Sequence, residues 1–350
     1  MTTRTRVLVV DDSAFVRKVV TEMLNRSDAL EVVGFARDGE EALELVERLK
    51  PDVITLDLVM PRMNGVEFLR AQNRRRRIPV VVCSIAHQSG EMALEAFEAG
   101  AVEFVQKPTA LATDRVYEIA AELVAKVRAA AGAALAGEPP PAETTTPRIR
   151  PVPSRPAGVG EARCDVVVLG ISTGGPQALR QLIPELPADF PIPVAMVMHM
   201  PVGYTEMYAQ RLDAMAMLDV SEAREGDEVR AGSVLLAPAG RHLTFVRDRG
   251  VVRAHLDDRP AESQHRPSVD VLFRSAAETF GGRVLGVVMT GMGNDGMLGA
   301  GHIKAQGGRI VTEAESSCVV YGMPRAVAEA SLSDRSARLD EMASAIMEMI

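Results

Sequence analysis

The chain has 350 residues, a length that indicates two domains at roughly 150 residues each. Hydrophobic residues make up 47% of it and charged residues 25%, which excludes a wholly disordered, fibrous or disulfide-stapled chain. The formal net charge of −8 argues against a general binder of nucleic acid or of anionic membranes. The chain has three cysteines that are widely separated in the sequence. Because they do not suggest a disulfide framework, they favour a reducing compartment. No apolar run reaches the roughly 18 residues that cross a bilayer, so we expect a cytoplasmic protein without membrane insertion.

A proline-rich stretch divides the chain. Residues 132–160 hold seven of the 21 prolines and almost no bulky apolar residue, so they cannot bury a core. Because proline fixes φ and removes a backbone donor, the stretch favours a semi-rigid, partly extended linker. We therefore predict one domain over residues 1–131 and another over residues 161–350, joined by this linker.

In the first domain, short β-rich runs alternate with helical stretches. The runs are Val7–Val10, Val32–Phe35, Val53–Leu56, Val80–Cys83 and Phe104–Val105. This alternation predicts a doubly wound parallel sheet, a flavodoxin-like α/β fold of five βα units. The first predicted helix has an apolar stripe that we expect to pack on the sheet. Its members are Phe15, Val16, Val19, Val20, Met23 and Leu24.

The second domain has longer apolar runs. Val166–Ile171, Val194–Met198 and Val284–Met289 are continuous, as is typical of parallel strands buried on both faces. Three further runs between them are interpreted as antiparallel strands with a turn after Asp248. They are Val234–Ala237, Leu243–Arg247 and Val251–Leu256. The sequence thus predicts a second doubly wound, Rossmann-like α/β domain with an antiparallel hairpin.

Polar side chains follow the strands of the first domain. Asp11 and Asp12 come after the first strand, Asp57 after the third, Ser84 after the fourth and Lys107 after the fifth. Carboxyl ends of parallel strands open onto one crevice, where three carboxylates would repel one another unless a hard cation such as Mg²⁺ lay between them. If Asp57 accepted a phosphoryl group, the cation and Lys107 would neutralise its oxygens and Ser84 would donate a hydrogen bond.

Each position taken alone also fits a structural role. Asp12 could cap the helix that begins near Ala14, and Asp57 could be a solvated loop carboxylate. The convergence of five such residues favours a phosphorylation switch.

Three motifs of the first domain resemble those of response-regulator receiver domains. They are Val-Val-Asp-Asp-Ser at 9–13, Leu-Asp-Leu-Val-Met-Pro-Arg-Met-Asn-Gly at 56–65 and Val-Gln-Lys-Pro at 105–108. The resemblance implies Asp57 as the phosphoacceptor and a histidine kinase as the phosphodonor. It also implies Mg²⁺ at Asp11, Asp12 and Asp57, phosphoryl contacts from Lys107 and Ser84, and Phe104 as an aromatic that reorients on activation.

The second domain carries a candidate nucleophile. Gly170–Gly174 fits the pattern G-x-S-x-G, which places Ser172 at a strand's carboxyl end before a helix. Such a turn exposes a hydroxyl beside backbone N–H groups, but a glycine-rich loop of this kind could equally cradle a phosphate. The motif alone leaves both interpretations open.

A serine needs a base, and the second domain offers five histidines. They are His199, His242, His255, His265 and His302. His199 directly follows the run that ends at Met198, which predicts a position at the same sheet edge as Ser172; His265 is the second candidate. Asp295 follows a strand in a glycine-rich turn and could orient the imidazole, although it could also be a helix cap.

An acyl-transfer site also needs donors for an oxyanion. The N–H of Thr173 directly follows the serine, and the glycines around Met292 allow that loop's backbone to approach closely. Cys318 is a rival nucleophile, but its apolar neighbours favour a buried thiol. The basic run Arg74–Arg77 is interpreted as a solvated face, with a docking surface as the alternative.

Six ordered blocks, from about Cys164 onward, resemble the catalytic domain of the chemotaxis protein-glutamate methylesterases, the CheB family. The blocks are Gly-Ile-Ser-Thr-Gly-Gly-Pro at 170–176, His-Met-Pro-Val-Gly-Tyr-Thr at 199–205, Leu-Ala-Pro-Ala-Gly-Arg-His-Leu at 236–243, His-Arg-Pro-Ser-Val-Asp-Val-Leu-Phe at 265–273, Thr-Gly-Met-Gly-Asn-Asp-Gly at 290–296 and Cys-Val-Val-Tyr-Gly-Met-Pro at 318–324. The resemblance implies a Ser172, His199 and Asp295 triad with oxyanion donors on the backbones of Thr173 and Met292.

The resemblance also implies a substrate and a regulation. Glutamate methyl esters on chemoreceptor helices would be hydrolysed to methanol and carboxylate, glutamines would be deamidated, and the esterase chemistry would need no cofactor. We expect the unphosphorylated receiver to cover Ser172. Two alternatives remain at this point: a response regulator whose second domain only binds a partner, and a hydrolase of small-molecule esters.

Overall fold

The computed structural model describes residues 4–84, 90–107, 113–132, 164–259, 263 and 265–350. Except for Gly132, the predicted linker at 132–160 lies outside these residues, and so does Pro108 of the third receiver motif.

The first domain is a five-stranded sheet with the order β2-β1-β3-β4-β5, in which every neighbouring pair is parallel. Its strands are β1 (Thr5–Val10), β2 (Leu30–Ala36), β3 (Val53–Leu56), β4 (Val80–Ser84) and β5 (Glu103–Gln106). Its helices are α1 (Ala14–Leu24), α2 (Gly39–Leu49), α3 (Gly65–Asn73), α4 (Gly90–Glu98) and α5 (Thr113–Ala131). The predicted flavodoxin-like order is confirmed.

One residue of the predicted stripe on α1 does not pack on the sheet. Val20, Met23 and Leu24 are buried, whereas Phe15 is 60% exposed. At 3.6 residues per turn, Phe15 lies about 140° around the helix from Val20. Including it in the stripe was therefore wrong.

The second domain is built on a seven-stranded sheet with the order β14-β13-β12-β6-β7-β9-β8, all parallel, and a separate antiparallel pair, β10 and β11. Its strands are β6 (Val166–Ile171), β7 (Val194–Met198), β8 (Asp219–Glu222), β9 (Ser233–Leu236), β10 (His242–Asp248), β11 (Val251–Asp257), β12 (Val284–Val288), β13 (Arg309–Glu313) and β14 (Arg335–Ala337). Its helices are α6 (Gly175–Glu185), α7 (Thr205–Asp213), α8 (Val269–Phe280), α9 (Met297–Ala305), α10 (Met323–Glu329) and α11 (Met342–Met349), with a 3₁₀ turn at Leu339–Glu341.

The predicted hairpin of β10 and β11 is confirmed, but one strand assigned to the same antiparallel group was assigned wrongly. β9 pairs in parallel with β7 and β8 inside the main sheet. All four of its residues are buried, the pattern of a strand covered on both faces rather than of a half-exposed hairpin. The alternating burial of β11 shows the contrast.

The carboxyl ends of four adjacent strands, β13, β12, β6 and β7, form one edge of the main sheet. That edge carries the groups described below. No helix in the described ranges combines the length and the apolar character needed to span a bilayer.

Candidate active site and phosphorylation site

Ser172 and His199 follow neighbouring strands. β6 and β7 are in parallel register, with Ile171 opposite Met198, so the next residue of each strand lies at the same sheet edge. The His199 N–H donates to the Ile171 carbonyl at 3.3 Å. The predicted proximity of the serine and the histidine therefore follows from strand register.

Asp295 completes the group from the loop after β12. His199 Nε2 lies 2.9 Å from Asp295 Oδ2, and both side chains are largely buried. With Nε2–H donated to the carboxylate, Nδ1 is the ring nitrogen left to act as a base. Within the described ranges no hydrogen bond joins the Ser172 hydroxyl to His199. The structure thus brings histidine and aspartate into contact and places the serine beside them.

The start of helix α8 holds the Asp295 carboxylate. The Ser268 hydroxyl and the N–H of Asp270 donate to Oδ1 at 2.9 and 3.0 Å, and the Val269 N–H donates to Oδ2 at 2.8 Å. Burial alone would raise the pKa of Asp295, but the hydrogen bond and charge of His199, with these backbone donors, lower the pKa to about 2. The carboxylate therefore stays ionised and accepts a hydrogen bond from the imidazole N–H.

The two predicted oxyanion donors lie on the loops that follow β6 and β12. In the described part of the chain, neither the N–H of Thr173 nor that of Met292 donates a hydrogen bond. Gly291, the residue before Met292 on the loop after β12, comes so close to the serine that a Cβ on it would lie 2.8 Å from Ser172 Cβ. Two uncommitted donors therefore flank the candidate nucleophile, as an acyl-transfer site requires.

His265, the second candidate base, stacks on His199 with ring centroids 4.2 Å apart and an interplanar angle of 19°. Desolvation and the neighbouring His199 lower the pKa of His265, so its ring is neutral near pH 7. His265 therefore packs against His199, the first candidate base. Cys318 is buried, and burial raises the pKa of its thiol, which argues against a nucleophilic role.

The polar residues of the first domain also converge. Carboxylate oxygens of Asp11, Asp12 and Asp57 lie within 4.8 Å of one another. Lys107 Nζ lies 2.6 Å from Asp11 Oδ2 and 2.7 Å from Asp57 Oδ2. Ser84, at the end of the adjacent strand β4, is buried.

Burial sets the electrostatics of this acidic pocket. It raises the pKa of Asp57 despite the opposing charge of Lys107. Burial alone would lower the pKa of Lys107, but the carboxylates of Asp57 and Asp11 outweigh it and raise that pKa. A second cation in the pocket would compete with Lys107 for the same carboxylates.

The first domain contacts the loop that carries the candidate nucleophile. Three contacts join the residues after Ser172 to the strand region around β5: Thr173 Oγ1 donates to Glu103 Oε2 at 2.5 Å, the Gly174 N–H to the Val102 carbonyl at 3.0 Å, and Gln177 Nε2 to the Ala101 carbonyl at 3.0 Å. Glu98 of the first domain also forms ion pairs with two arginines of the second domain, Arg211 at 2.7 Å and Arg180 at 3.3 Å.

Phe104, predicted from the family resemblance as a switch aromatic, belongs to this interface. Its buried ring packs against Tyr204 of the second domain with centroids 5.3 Å apart. The adjacent Glu103 is bound on its other side by Lys126 at 3.4 Å, and Lys126 also donates to the Phe104 carbonyl at 2.7 Å. The predicted switch aromatic and the carboxylate that binds the loop after Ser172 are therefore neighbours on strand β5.

Several residues around the site were not predicted from the sequence. Each makes a contact between separate elements of the fold: these residues are Glu103, Tyr204, Thr290 and Glu313. A signal existed for Thr290, because it lies beyond the last residue of a buried strand run, where Ser172 and His199 also lie. No such signal marked Glu103, whose partner Thr173 is 70 residues away in the sequence.

Comparison with known proteins matches both domains. The family model described as CheB methylesterase matches residues 167–346, and that described as response regulator receiver domain matches residues 7–116. A protein-glutamate methylesterase/protein-glutamine glutaminase 5 of Myxococcus xanthus is 54% identical and covers 96% of this chain and 95% of its own length. A protein-glutamate methylesterase/protein-glutamine glutaminase of Geobacillus kaustophilus is 42% identical over 99% of this chain and 98% of its own.

A solved structure matches the second domain. The crystal structure of the Thermotoga maritima CheB methylesterase catalytic domain is 39% identical with a TM-score of 0.52. It covers 53% of this chain, and 99% of that domain is matched.

Proposed function

This chain belongs to the CheB methylesterase family and carries a receiver domain before its catalytic domain. From this premise we propose that it is a protein-glutamate methylesterase and protein-glutamine glutaminase of chemotaxis, and that phosphorylation of the receiver controls its activity. Its substrates would be glutamate methyl esters and glutamines on the cytoplasmic helices of chemoreceptors. The contact of His199 with Asp295 beside Ser172 is the observation that carries the proposal.

In the proposed reaction, Ser172 attacks the γ-carbonyl of the methyl ester while His199 accepts the hydroxyl proton. Asp295 stabilises the imidazolium that forms. The tetrahedral intermediate collapses when His199 protonates the departing methoxide, which leaves as methanol. Water then attacks the acyl-enzyme with His199 again as the base, and the free carboxylate and Ser172 are restored.

Negative charge develops on the former carbonyl oxygen in both halves of the reaction. The N–H groups of Thr173 and Met292 would donate to it, since both are uncommitted and flank Ser172. Glutamine follows the same path with ammonia as the leaving group. The proposal needs no cofactor for this chemistry.

The receiver would supply the control. Asp57 is the proposed phosphoacceptor and a histidine kinase the phosphodonor, with Lys107 and Ser84 contacting the transferred group. The cluster of Asp11, Asp12 and Asp57 fits Mg²⁺, because this ion takes oxygen ligands and the three carboxylates lie within 4.8 Å. When bound, the ion would neutralise charge on the phosphoryl oxygens. The reaction would take place in the cytoplasm.

We further propose that the unphosphorylated receiver occludes the active site. Supporting this, Glu103 and Val102 bind the two residues directly after the nucleophile. A receptor helix reaching Ser172 would compete with these contacts. Phosphorylation need only shift a closed population toward an open one by a few kcal/mol.

The test measures methanol released from methylated receptor membranes by the full chain, with and without a small-molecule phosphodonor. Wild type should release methanol and do so faster with the phosphodonor. Ser172→Ala should lose at least about 10³-fold in kcat, because the nucleophile is gone. A Ser172→Ala variant as active as wild type would refute the assignment.

A further inference from the structure

The two proposed oxyanion donors lie on different loops, so the distance between these loops matters for catalysis. Thr173 follows β6, and Met292 follows β12. Donors must be held to within about 0.5 Å of the productive geometry to stabilise a developing oxyanion. The contacts that join the two loops are therefore part of the catalytic apparatus.

Thr290 makes these contacts on the side of the nucleophile. Its carbonyl accepts the Ser172 N–H at 2.9 Å, and its hydroxyl donates to the Thr173 carbonyl at 2.9 Å. These two groups of the nucleophile loop lie on either side of the peptide bond that bears the Thr173 N–H. Thr290 thus fixes the orientation of one donor from both sides.

The hydroxyl of Thr290 is also an acceptor. The Val320 N–H donates to it at 3.0 Å, so its donor and acceptor capacities are both used. Thr290 is 1% exposed, and the Thr173 carbonyl that accepts from its hydroxyl is also buried. Removing this hydroxyl would leave the buried Thr173 carbonyl and the part-buried Val320 N–H without their hydrogen-bond partner.

On the other side, Thr290 is anchored by a buried carboxyl group. Its N–H donates to Glu313 Oε2 at 2.9 Å, while the Ser317 hydroxyl donates to Glu313 Oε1 at 3.0 Å. Glu313 ends strand β13 and is fully buried, and within the described ranges no lysine or arginine forms an ion pair with it. Burying a charged carboxylate without a cation beside it costs stability. The contact of Glu313 with the Thr290 N–H holds the Thr290 peptide in place.

The second proposed donor, the Met292 N–H, lies two residues after Thr290. The residue between them, Gly291, is held at both ends, because its N–H donates to the Val320 carbonyl at 3.0 Å and its carbonyl accepts the Met323 N–H at 2.9 Å. One short segment therefore carries the Met292 donor and grips the loop that carries the Thr173 donor.

We propose that Thr290 is a positioning residue of the esterase, one that clamps the nucleophile loop to the oxyanion loop, with Glu313 as its anchor. This inference rests on the proposed hydrolase function. Glu313 ends β13, and Thr290, Ser172 and His199 follow β12, β6 and β7, so the four residues lie in this order along the carboxyl edge of four adjacent strands.

The test replaces Thr290 by valine, which keeps the shape and removes the hydroxyl. With methylated receptor membranes and a phosphodonor, Thr290→Val should lower kcat about 10- to 100-fold and leave KM within about twofold, because a small misplacement of catalytic groups costs rate more than binding. Affinity for an alkyl boronic acid, which forms a tetrahedral adduct on Ser172, should fall in parallel, as expected for a transition-state analogue.

Two variants serve as controls. Thr290→Ser retains the hydroxyl and should restore kcat to near the wild-type value. Thr312→Val removes an equally buried threonine hydroxyl from the neighbouring strand β13, where the partner is Ser333 at 2.9 Å rather than either loop. It should leave kcat and boronic acid affinity close to wild type. Thermal melting of each variant reports its folding.

The outcomes separate the two proposals. Folded Thr290→Val with wild-type kcat and boronic acid affinity would overturn the clamp, and so would equal losses in Thr290→Val and Thr312→Val. Wild type without methanol release would count against the esterase, and the boronic acid affinities would still decide for or against the clamp.

Discussion

Glu313 shows at the scale of one residue how burial and hydrogen bonding oppose each other. Burial raises the pKa of this carboxyl, although the Thr290 N–H and the Ser317 hydroxyl act to lower it. An acid whose pKa is higher in the folded than in the unfolded state favours folding most below the unfolded value, near 4.5. Its contribution to stability is lost as the pH rises from there through the folded pKa.

We therefore predict that Glu313→Gln stabilises the catalytic domain at neutral pH. The amide can accept the Thr290 N–H through its oxygen and donate to the Ser317 hydroxyl, and it has no charge to bury. Thermal melting of the full chain should give similar midpoints for wild type and variant at pH 4.5 and a higher midpoint for the variant at pH 7.5. A variant advantage that shrinks with rising pH would contradict the assignment of the raised pKa.

At this same scale the sequence predicted the residues that follow obvious strands. Ser172, His199 and Asp295 could be placed at one edge because each follows a long apolar run, and parallel strands open at one edge. Glu103 could not be placed, because its contact with Thr173 depends on how two domains dock. Glu313 was missed because its strand, β13, begins and ends with charged residues and does not have the continuous apolar character of the predicted strands.

At the scale of elements, strand order converts dispersed residues into a site. The order β13, β12, β6, β7 brings the proposed anchor, clamp, nucleophile and base side by side. The α/β alternation predicted both sheets, since apolar run length distinguishes buried strands from helices. It did not predict that β9 joins the main sheet in parallel, because a four-residue run contains no information about its pairing partner.

The close packing of the loop after β12 leads to a prediction about catalysis. A Cβ on Gly291 would clash with Met323 Sδ and would lie 2.8 Å from Ser172 Cβ and 3.1 Å from Ser172 N. Gly291→Ala must therefore displace both the Met323 side chain and the proposed nucleophile, because the Ser172 contact involves its Cβ and backbone rather than a flexible side-chain end. We expect kcat for methanol release to fall at least about 10-fold, with a smaller change in KM.

Gly301→Ala is the matched control, since it adds the same methyl group in helix α9 of the same domain. There the new Cβ would meet only Leu332 Cδ1, at 4.0 Å. Kinetics close to wild type are expected for it. Equal kcat values for the two alanine variants would show that the close approach of Gly291 to Ser172 is not needed.

At the scale of the whole molecule, the two domains share one apolar cluster and a polar contact on the nucleophile loop. The cluster of buried residues runs from Phe97, Ala101 and Phe104 of the receiver to Tyr204 and Tyr208 of the catalytic domain. The polar contact is the hydrogen bond from Thr173 to Glu103, itself 7% exposed. Because Phe104 is the next residue, a change in its position would act on both kinds of contact together.

This arrangement predicts that Glu103→Ala raises the basal activity of the full chain. A hydrogen bond to a charged group contributes about 1.5–3 kcal/mol, and about 1.4 kcal/mol changes a population ratio tenfold. Methanol release without a phosphodonor should therefore rise about 10-fold. With a saturating phosphodonor the rate should match wild type, because the open enzyme has the same active site.

Glu122→Ala separates loss of the interdomain contact from loss of a charge. Glu122 pairs with the same Lys126, at 2.9 Å, but makes no contact with the nucleophile loop. Its removal takes one negative charge from the same lysine and leaves Thr173 bound to Glu103, so basal activity should stay near wild type. If both variants raised basal activity equally, the charge on Lys126 rather than the Thr173 contact would hold the closed state. If Glu103→Ala left basal activity unchanged, this hydrogen bond would have no part in restraining the enzyme.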